Sequence, residues 1–273
     1  MGTASLLSAA AIESALTTRW LGRTLEYHSE IGSTNERLAL LARTGAPAGT
    51  LVVADLQTAG RGRLGRKWVT PPGSALLHSL LYRPEWPPEQ ATWLTMITAL
   101  AARDAIQKVA NLKIRLKWPN DLIVGENQFR KVGGILLDAA FDGNQLEYLI
   151  VGMGINVNLT EAQLPEAHTP PSSLLLATGQ RVSRLSLLAN LLIALEERYE
   201  LAEAGISPHE EWQASLVNIN QPVTVTPTKG APWSGTACGT DEWGRLLVKT
   251  ESGKTNAVSA GDVSLRPAGD KMT

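Results

Sequence analysis

The segment DLQTAGRGRLGRKWVTPPG, residues 55–73, decides between folds. Its glycines Gly60, Gly62 and Gly65 stand in the G-x-G-x-x-G spacing of a dinucleotide-binding turn. Such a turn needs a strand before the glycines and a helix opening at them, so that the helix N-terminus can hold a pyrophosphate. The strand is present: residues 50–56, TLVVADL, are apolar and β-branched. The helix is absent, because Pro71 and Pro72 remove two backbone donors and fix φ just downstream. A Walker A loop fails as well, since Gly65 is followed by Arg66-Lys67 instead of Lys-Ser/Thr.

Residues 60–67 hold four cations, Arg61, Arg63, Arg66 and Lys67, and no acid. A nucleic-acid-binding arginine run would bring further basic clusters or interleaved aromatics. A solvated basic turn would leave four like charges crowded together without a counter-charge. The chain as a whole has 25 Lys+Arg against 26 Asp+Glu, a net charge of −1, whereas nucleic-acid binding normally shows as a basic excess. The positive charge is therefore local and suits one small anion. The glycines allow close backbone approach and the guanidinium groups offer forked donors to phosphate or carboxylate. The segment reads as a mobile loop that closes over an anion.

Working outward, residues 74–83 read as a strand and 88–110 as a long helix. Strands follow at 114–118, 121–124, 129–141 and 146–158, the last two joined across Asp142-Gly143-Asn144. Consecutive hairpins argue for a mixed or antiparallel sheet and against a run of βαβ units. Upstream, residues 24–29 suggest a strand, and Ser33 with Glu36 three residues on predicts a capped helix over 34–43. Helices are expected at 183–204 and 208–217. From Gln221 short strands alternate with turns, which suggests a small β-barrel appended to the mixed domain. The expected division is 1–219, opened by a helix within 1–23, and 220–273.

Three further segments share the character of the loop. KWPND, residues 117–121, packs a cation, an aromatic, a rigid turn, an amide and a carboxylate into five positions. KVGGIL, residues 131–136, sets Lys131 in an apolar strand beside two glycines. GMGIN, residues 152–156, pairs glycines with Asn156 at a strand end. Each has a bland reading as a turn or a solvent-facing lysine. Together they suit a glycine-lined, cation-rich pocket in which a desolvated ammonium meets an anion. His28, His78, His168 and His209 are scattered without ligand spacing and read as surface or core residues. Cys238 is the single cysteine, which excludes a disulfide framework and a cysteine metal cluster within the chain. The first residues lack the early positive charge of a secretory signal, and no apolar run approaches the roughly 20 residues of a membrane span. A cytoplasmic protein is expected.

STNE (33–36), DLQTAGRGRLGRKW (55–68), KWPNDL (117–122), KVGGIL (131–136), GMGINVN (152–158) and GDVSLRP (261–267) occur in the order and spacing of the biotin protein ligases, which the chain resembles over about residues 24–267. The resemblance implies an α+β fold: a mixed β-sheet with flanking helices, related to class II aminoacyl-tRNA synthetases, plus an SH3-like C-terminal β-barrel. It also implies a reaction: biotin and MgATP give biotinyl-5′-AMP, and the biotinyl group passes to one lysine of a biotin carboxyl carrier protein. By the same resemblance Ser33, Thr34 and Gln57 would bind the ureido ring, and Gly134, Gly152 and Gly154 would line the biotin slot. Gly60 and Arg61 would meet the ligand, Arg63 would hold the adenylate, and Trp68 would lie by the adenine. Lys131 would bind the biotin carboxylate and then the acyl-phosphate. Lys117, Asn120 and Asp121 would serve the triphosphate, Asp121 as the Mg²⁺ carboxylate, and Asn156 the nucleotide.

Two departures stand out. Leu64 occupies a position where the family often has a further arginine. Some members also carry an N-terminal winged helix-turn-helix of roughly 60 residues, whereas the first expected strand begins near residue 24. A ligase that does not bind DNA is expected, either monomeric or a homodimer. The rivals are a lipoate or octanoate protein ligase on the same fold and a non-catalytic biotin- or nucleic-acid-binding protein. Ser33, Thr34 and Gln57 favour biotin.

Overall fold

The computed structural model describes residues 7–126, 128–167, 169–227, 229–259 and 262–265. His168 and parts of the tail 261–267 lie outside them. The chain opens with α1 (Ala9–Ala15), β1 (Leu25–His28) and α2 (Thr34–Arg43). Ser33 caps α2, its side chain accepting from Glu36 N. The next elements are β2 (Leu51–Ala54), β3 (Ala75–Tyr82) and α3 (Ala91–Ala110). β2 and β3 are buried at every residue, as their unbroken apolar runs require. The expected 88–110 helix opens instead as a 3₁₀ turn, Pro88–Gln90, where the chain runs through consecutive prolines. α3 ends at Asn111, which adopts the left-handed conformation at φ +48°.

β4 (Arg115–Lys117), β5 (Asp121–Val124), β6 (Arg130–Asp142) and β7 (Gln145–Asn156) complete a seven-stranded sheet of order β1-β2-β3-β7-β6-β5-β4. Only β1 and β2 run parallel; the other neighbours are antiparallel, so the sheet is mixed. Its longest pairing, β6 on β7, closes on the two-residue loop Gly143-Asn144, with Gly143 at φ +59°. A short helix that the sequence reading did not anticipate, α4 (Leu174–Thr178), follows its cap Ser173. At five residues it is too brief to show a helical period. α5 (Arg184–Glu203) and α6 (His209–Ala214) come next.

Strand alternation distributes the core. Val52, Leu81 and Ile150 pack with Leu38 and Ala42 of α2 on one face. Leu51, Val53, Leu80 and Val151 point the other way, to α3 and α5. Leu187, Leu188, Leu191, Leu192 and Leu195 make the buried stripe of α5, each fully enclosed. Burying one such leucine contributes about 1.5–3 kcal/mol. Among the described residues, no helix is long and apolar enough to cross a membrane.

β8 (Pro222–Thr226), β9 (Trp233–Thr240), β10 (Leu246–Lys249), β11 (Thr255–Val258) and β12 (Asp262–Leu265) form a second, antiparallel sheet of order β11-β10-β9-β8-β12. Its turn between β9 and β10 docks on the first domain. Trp93 Nε1 donates to Glu242 O at 3.2 Å and Trp118 Nε1 donates to Gly244 O at 2.8 Å. Val223, Val225, Leu246 and Val248 join the same buried cluster as α3.

Candidate functional site

The segment after β2 is folded as a small hairpin. Gly62 N donates to Arg66 O at 2.7 Å and Trp68 N to Gly60 O at 2.9 Å, with Arg61 bridged to Lys67. Gly60 sits at its base, where a Cβ would stand 2.4 Å from Trp68 O, so close backbone approach demands glycine. The ion pair of Arg184 with Asp55, at 2.7 Å and with the arginine buried, anchors the entry to this segment on α5. The tip carries Leu64 at φ +56°, ψ +36°, and 51% exposed.

The hairpin covers a cleft of about 570 Å³. All the site residues expected from the sequence border this cleft except Gly60. At one end Ser33 and Thr34 start α2, and Gln57 follows β2. Gln57 Oε1 accepts from Thr34 N at 2.8 Å and Thr34 Oγ1 at 3.1 Å. That leaves its amide nitrogen as the group free to donate elsewhere. At the other end the 117–121 turn between β4 and β5 presents Lys117, Asn120 and Asp121. Lys117 Nζ donates to Thr169 Oγ1 at 3.2 Å, and Arg63 Nη1 reaches Asn120 Oδ1 at 3.4 Å.

Lys131 stands between the two ends. Its ammonium pairs with Asp121 Oδ1 at 2.5 Å and lies 5.6 Å from the Trp68 ring centroid. The backbone here is strapped on both sides: Lys131 N donates to Pro170 O and Ser172 N to Lys131 O, each at 2.8 Å. Asn156, 4% exposed, donates from Nδ2 to Ser172 O at 2.9 Å. The wall formed by residues 165–167, 169 and 171 was not anticipated from the sequence; the paired prolines 170–171 are the one signal that marks it.

Trp68 lies in the glycine slot. A Cβ at residue 154 would fall 2.5 Å from Trp68 Cε2, and one at residue 134 would lie 3.5 Å from Cζ3. The indole Nε1 is buried and meets no acceptor among the described residues. His78 on β3 also borders the cleft; burial pushes its imidazole down to about 4, so it stands neutral at pH 7. Sequence reasoning also missed Asn35, Ser79 and Asp138, which connect Thr34 to Arg61 through hydrogen bonds. Asn35 sits within the quoted STNE motif, while Ser79 and Asp138 carry no local signal.

This arrangement gathers cations, amides and one ion-paired carboxylate around a partly apolar slot, chemistry that suits a ligand with an acid at one end and phosphates beside it. The family model for the biotin/lipoate A/B protein ligase family matches residues 29–156, and that for the biotin protein ligase C-terminal domain matches 219–266. The bifunctional ligase/repressor BirA of Bacillus subtilis is 34% identical over 262 residues, covering 95% of this chain and 79% of the relative. The biotin–[acetyl-CoA-carboxylase] ligase of Mycobacterium tuberculosis is 33% identical over 248 residues, 88% of each chain. The biotin protein ligase of Aquifex aeolicus, solved in complex with biotin and ATP, superposes with a TM-score of 0.72 at 28% identity, over 90% of this chain and 100% of that one. By these matches the chain belongs to the biotin protein ligase family.

Proposed function

We propose that the chain joins biotin to ATP, giving biotinyl-5′-AMP and pyrophosphate, and then transfers the biotinyl group to a lysine of a carboxylase carrier domain. The observation that carries this reading is the cleft itself, with the Thr34–Gln57 polar pair at one end and, between the ends, Lys131 paired with Asp121 of the 117–121 turn. A biotin carboxylate oxygen attacks the α-phosphorus, and the P–O bond to pyrophosphate breaks. The carrier amine then attacks the acyl carbon and AMP leaves. Lys131, close to Asp121 before ligand arrives, has an ammonium that can turn to the carboxylate and then to the charge growing on the phosphoryl oxygens. Arg61 and Arg63 on the hairpin hold the adenylate, and closure excludes water from the activated acyl group.

For magnesium, no group of three His, Cys, Asp or Glu is assembled among the described residues. One carboxylate, Asp121, beside the Asn120 amide fits an ion held mainly by substrate phosphates. Such an ion supplies charge neutralisation of the triphosphate. The carrier is of the acetyl-CoA carboxylase kind, after the names of the relatives. DNA is not among the proposed partners: with 25 Lys+Arg against 26 Asp+Glu the chain lacks the basic excess that normally marks nucleic-acid binding. Sequence-specific operator binding in a gel shift at physiological salt would overturn that part.

Pyrophosphate–ATP exchange, run with biotin, lipoate or octanoate, tests the substrate. Exchange with biotin is expected; exchange with lipoate or octanoate and not with biotin would give the chain to the other branch of the family.

A further inference from the structure

Asp138 lies on β6, seven residues beyond Lys131 and outside every motif that marks the site. Its Oδ2 accepts from two donors on different elements. One is Arg61 Nη2 of the loop hairpin, at 3.0 Å; the other is Asn35 Nδ2 in the first turn of α2, at 2.9 Å. A carboxylate only accepts, so it decides which end of the Asn35 amide faces it. With Nδ2 turned to Asp138, Oδ1 faces Ser79, whose hydroxyl donates to it at 2.6 Å. Space for that oxygen exists because residue 152 is glycine: a Cβ there would stand 1.9 Å away. Ser79 has a single hydroxyl proton, which is shared with Thr34 Oγ1 at 2.7 Å. What Asn35 presents therefore decides how Ser79 points, and Thr34 carries the order on to Gln57. Ser79 and Asn35 are both buried, so water does not substitute for a missing partner.

We propose that Asp138 is a positioning residue for the biotin end of the cleft. It fixes the hydrogen-bond polarity of Asn35, Ser79 and Thr34, and it latches Arg61 over the bound acyl-adenylate. The inference rests on the ligase reading. Both roles meet on one oxygen, so closing the loop and ordering the polar readout are one event. The Arg61 pair is half exposed and weak alone; the hold on buried Asn35 gives the carboxylate its weight.

Asp138→Asn tests it, because the amide keeps the size and adds competing donors. The expected results are release of biotinyl-AMP about fivefold faster in a chase, a biotin KM raised by about the same factor, and an unchanged ATP KM. Asp138→Glu, which restores an acceptor-only group, is expected to recover part of the loss. In an Arg61→Ala background Asp138→Asn is expected to add less to the release rate than it does alone. A wild-type release rate and biotin KM in Asp138→Asn would overturn the proposal, as would equal increases in both KM values or full additivity with Arg61→Ala. Biotin-dependent exchange by the unmodified protein, run alongside, separates the two readings. If it is absent, the ligase reading fails and takes this inference with it. If it is present while Asp138→Asn behaves as wild type, only the role of Asp138 falls.

Discussion

At the scale of single residues, two positions shape the cleft, 131 and 154. Lys131 is only partly enclosed, and its partner Asp121 is a neighbour on the adjacent strand. Replacing it should therefore spare the fold and remove the charge that meets the reacting oxygens. We expect Lys131→Ala to lose biotin-dependent pyrophosphate exchange by about two to three orders of magnitude with an unchanged circular dichroism spectrum. Wild-type-like exchange in that variant would remove Lys131 from its role. Gly154 matters for the opposite reason, since it gives room. A methyl group there would overlap the Trp68 ring at 2.5 Å, which real contacts do not tolerate, so the indole must move. Gly154→Ala is expected to shift tryptophan emission and weaken biotin binding by calorimetry. An unchanged affinity would show that the slot tolerates the displaced ring. Glycine at 154 and cation at 131 were both legible in the sequence; that Trp68 fills the slot was not, because only packing sets where an indole lies.

At the scale of elements, the loop and the strands it joins behave differently. The strands were readable from periodicity, and the antiparallel block 114–158 from its turns. The loop was readable as glycine-rich and cationic, but not as a hairpin with Leu64 at its tip. A leucine at φ +56° costs about 1–2 kcal/mol relative to the right-handed region. Its side chain is exposed and gives little packing in return. Asparagine tolerates the left-handed region, so Leu64→Asn should stabilise the hairpin by about 1 kcal/mol. Hydrogen exchange at the Gly62 and Trp68 amides, both bonded across the hairpin, is the measurement; slower exchange is expected, and faster exchange would refute the strain argument. Where the family often has arginine, this chain therefore places an apolar residue that touches solvent.

At the scale of the whole molecule, acid should destabilise the fold through two groups that share no partner, His78 and Glu211. His78 has its imidazole pushed from 6.5 down to about 4 by burial. The unfolded chain then binds a proton that the folded one refuses, so stability is complete above about pH 6.5 and falls as pH drops towards 4. The loss reaches about 3 kcal/mol. Glu211 is held down to about 2 by hydrogen bonds from Arg198 and, after the opposing effect of burial, Arg103. Its contribution is present above the ordinary glutamate range and is lost as pH falls towards 2. Denaturant unfolding across pH 2–8 should show both windows, and His78→Leu should flatten the upper one. A decline between pH 6.5 and 4 that survives His78→Leu would assign it to another group.

The sequence by itself determined the mixed sheet, the all-β tail and the motifs that converge on one cleft. These follow from local chemistry: proline after the glycine loop, turn residues between apolar runs, and cations where glycine leaves backbone space. The tertiary structure alone decided that Lys131 faces Asp121, that Trp68 lies on Gly154, and that Asp138 reaches Arg61 and Asn35 across 77 and 103 residues of chain. Local preference carries no record of which distant groups a strand register brings together. A hydrogen bond between residues so far apart exists only once the core has fixed the sheet, and its polarity is set by the partners found there.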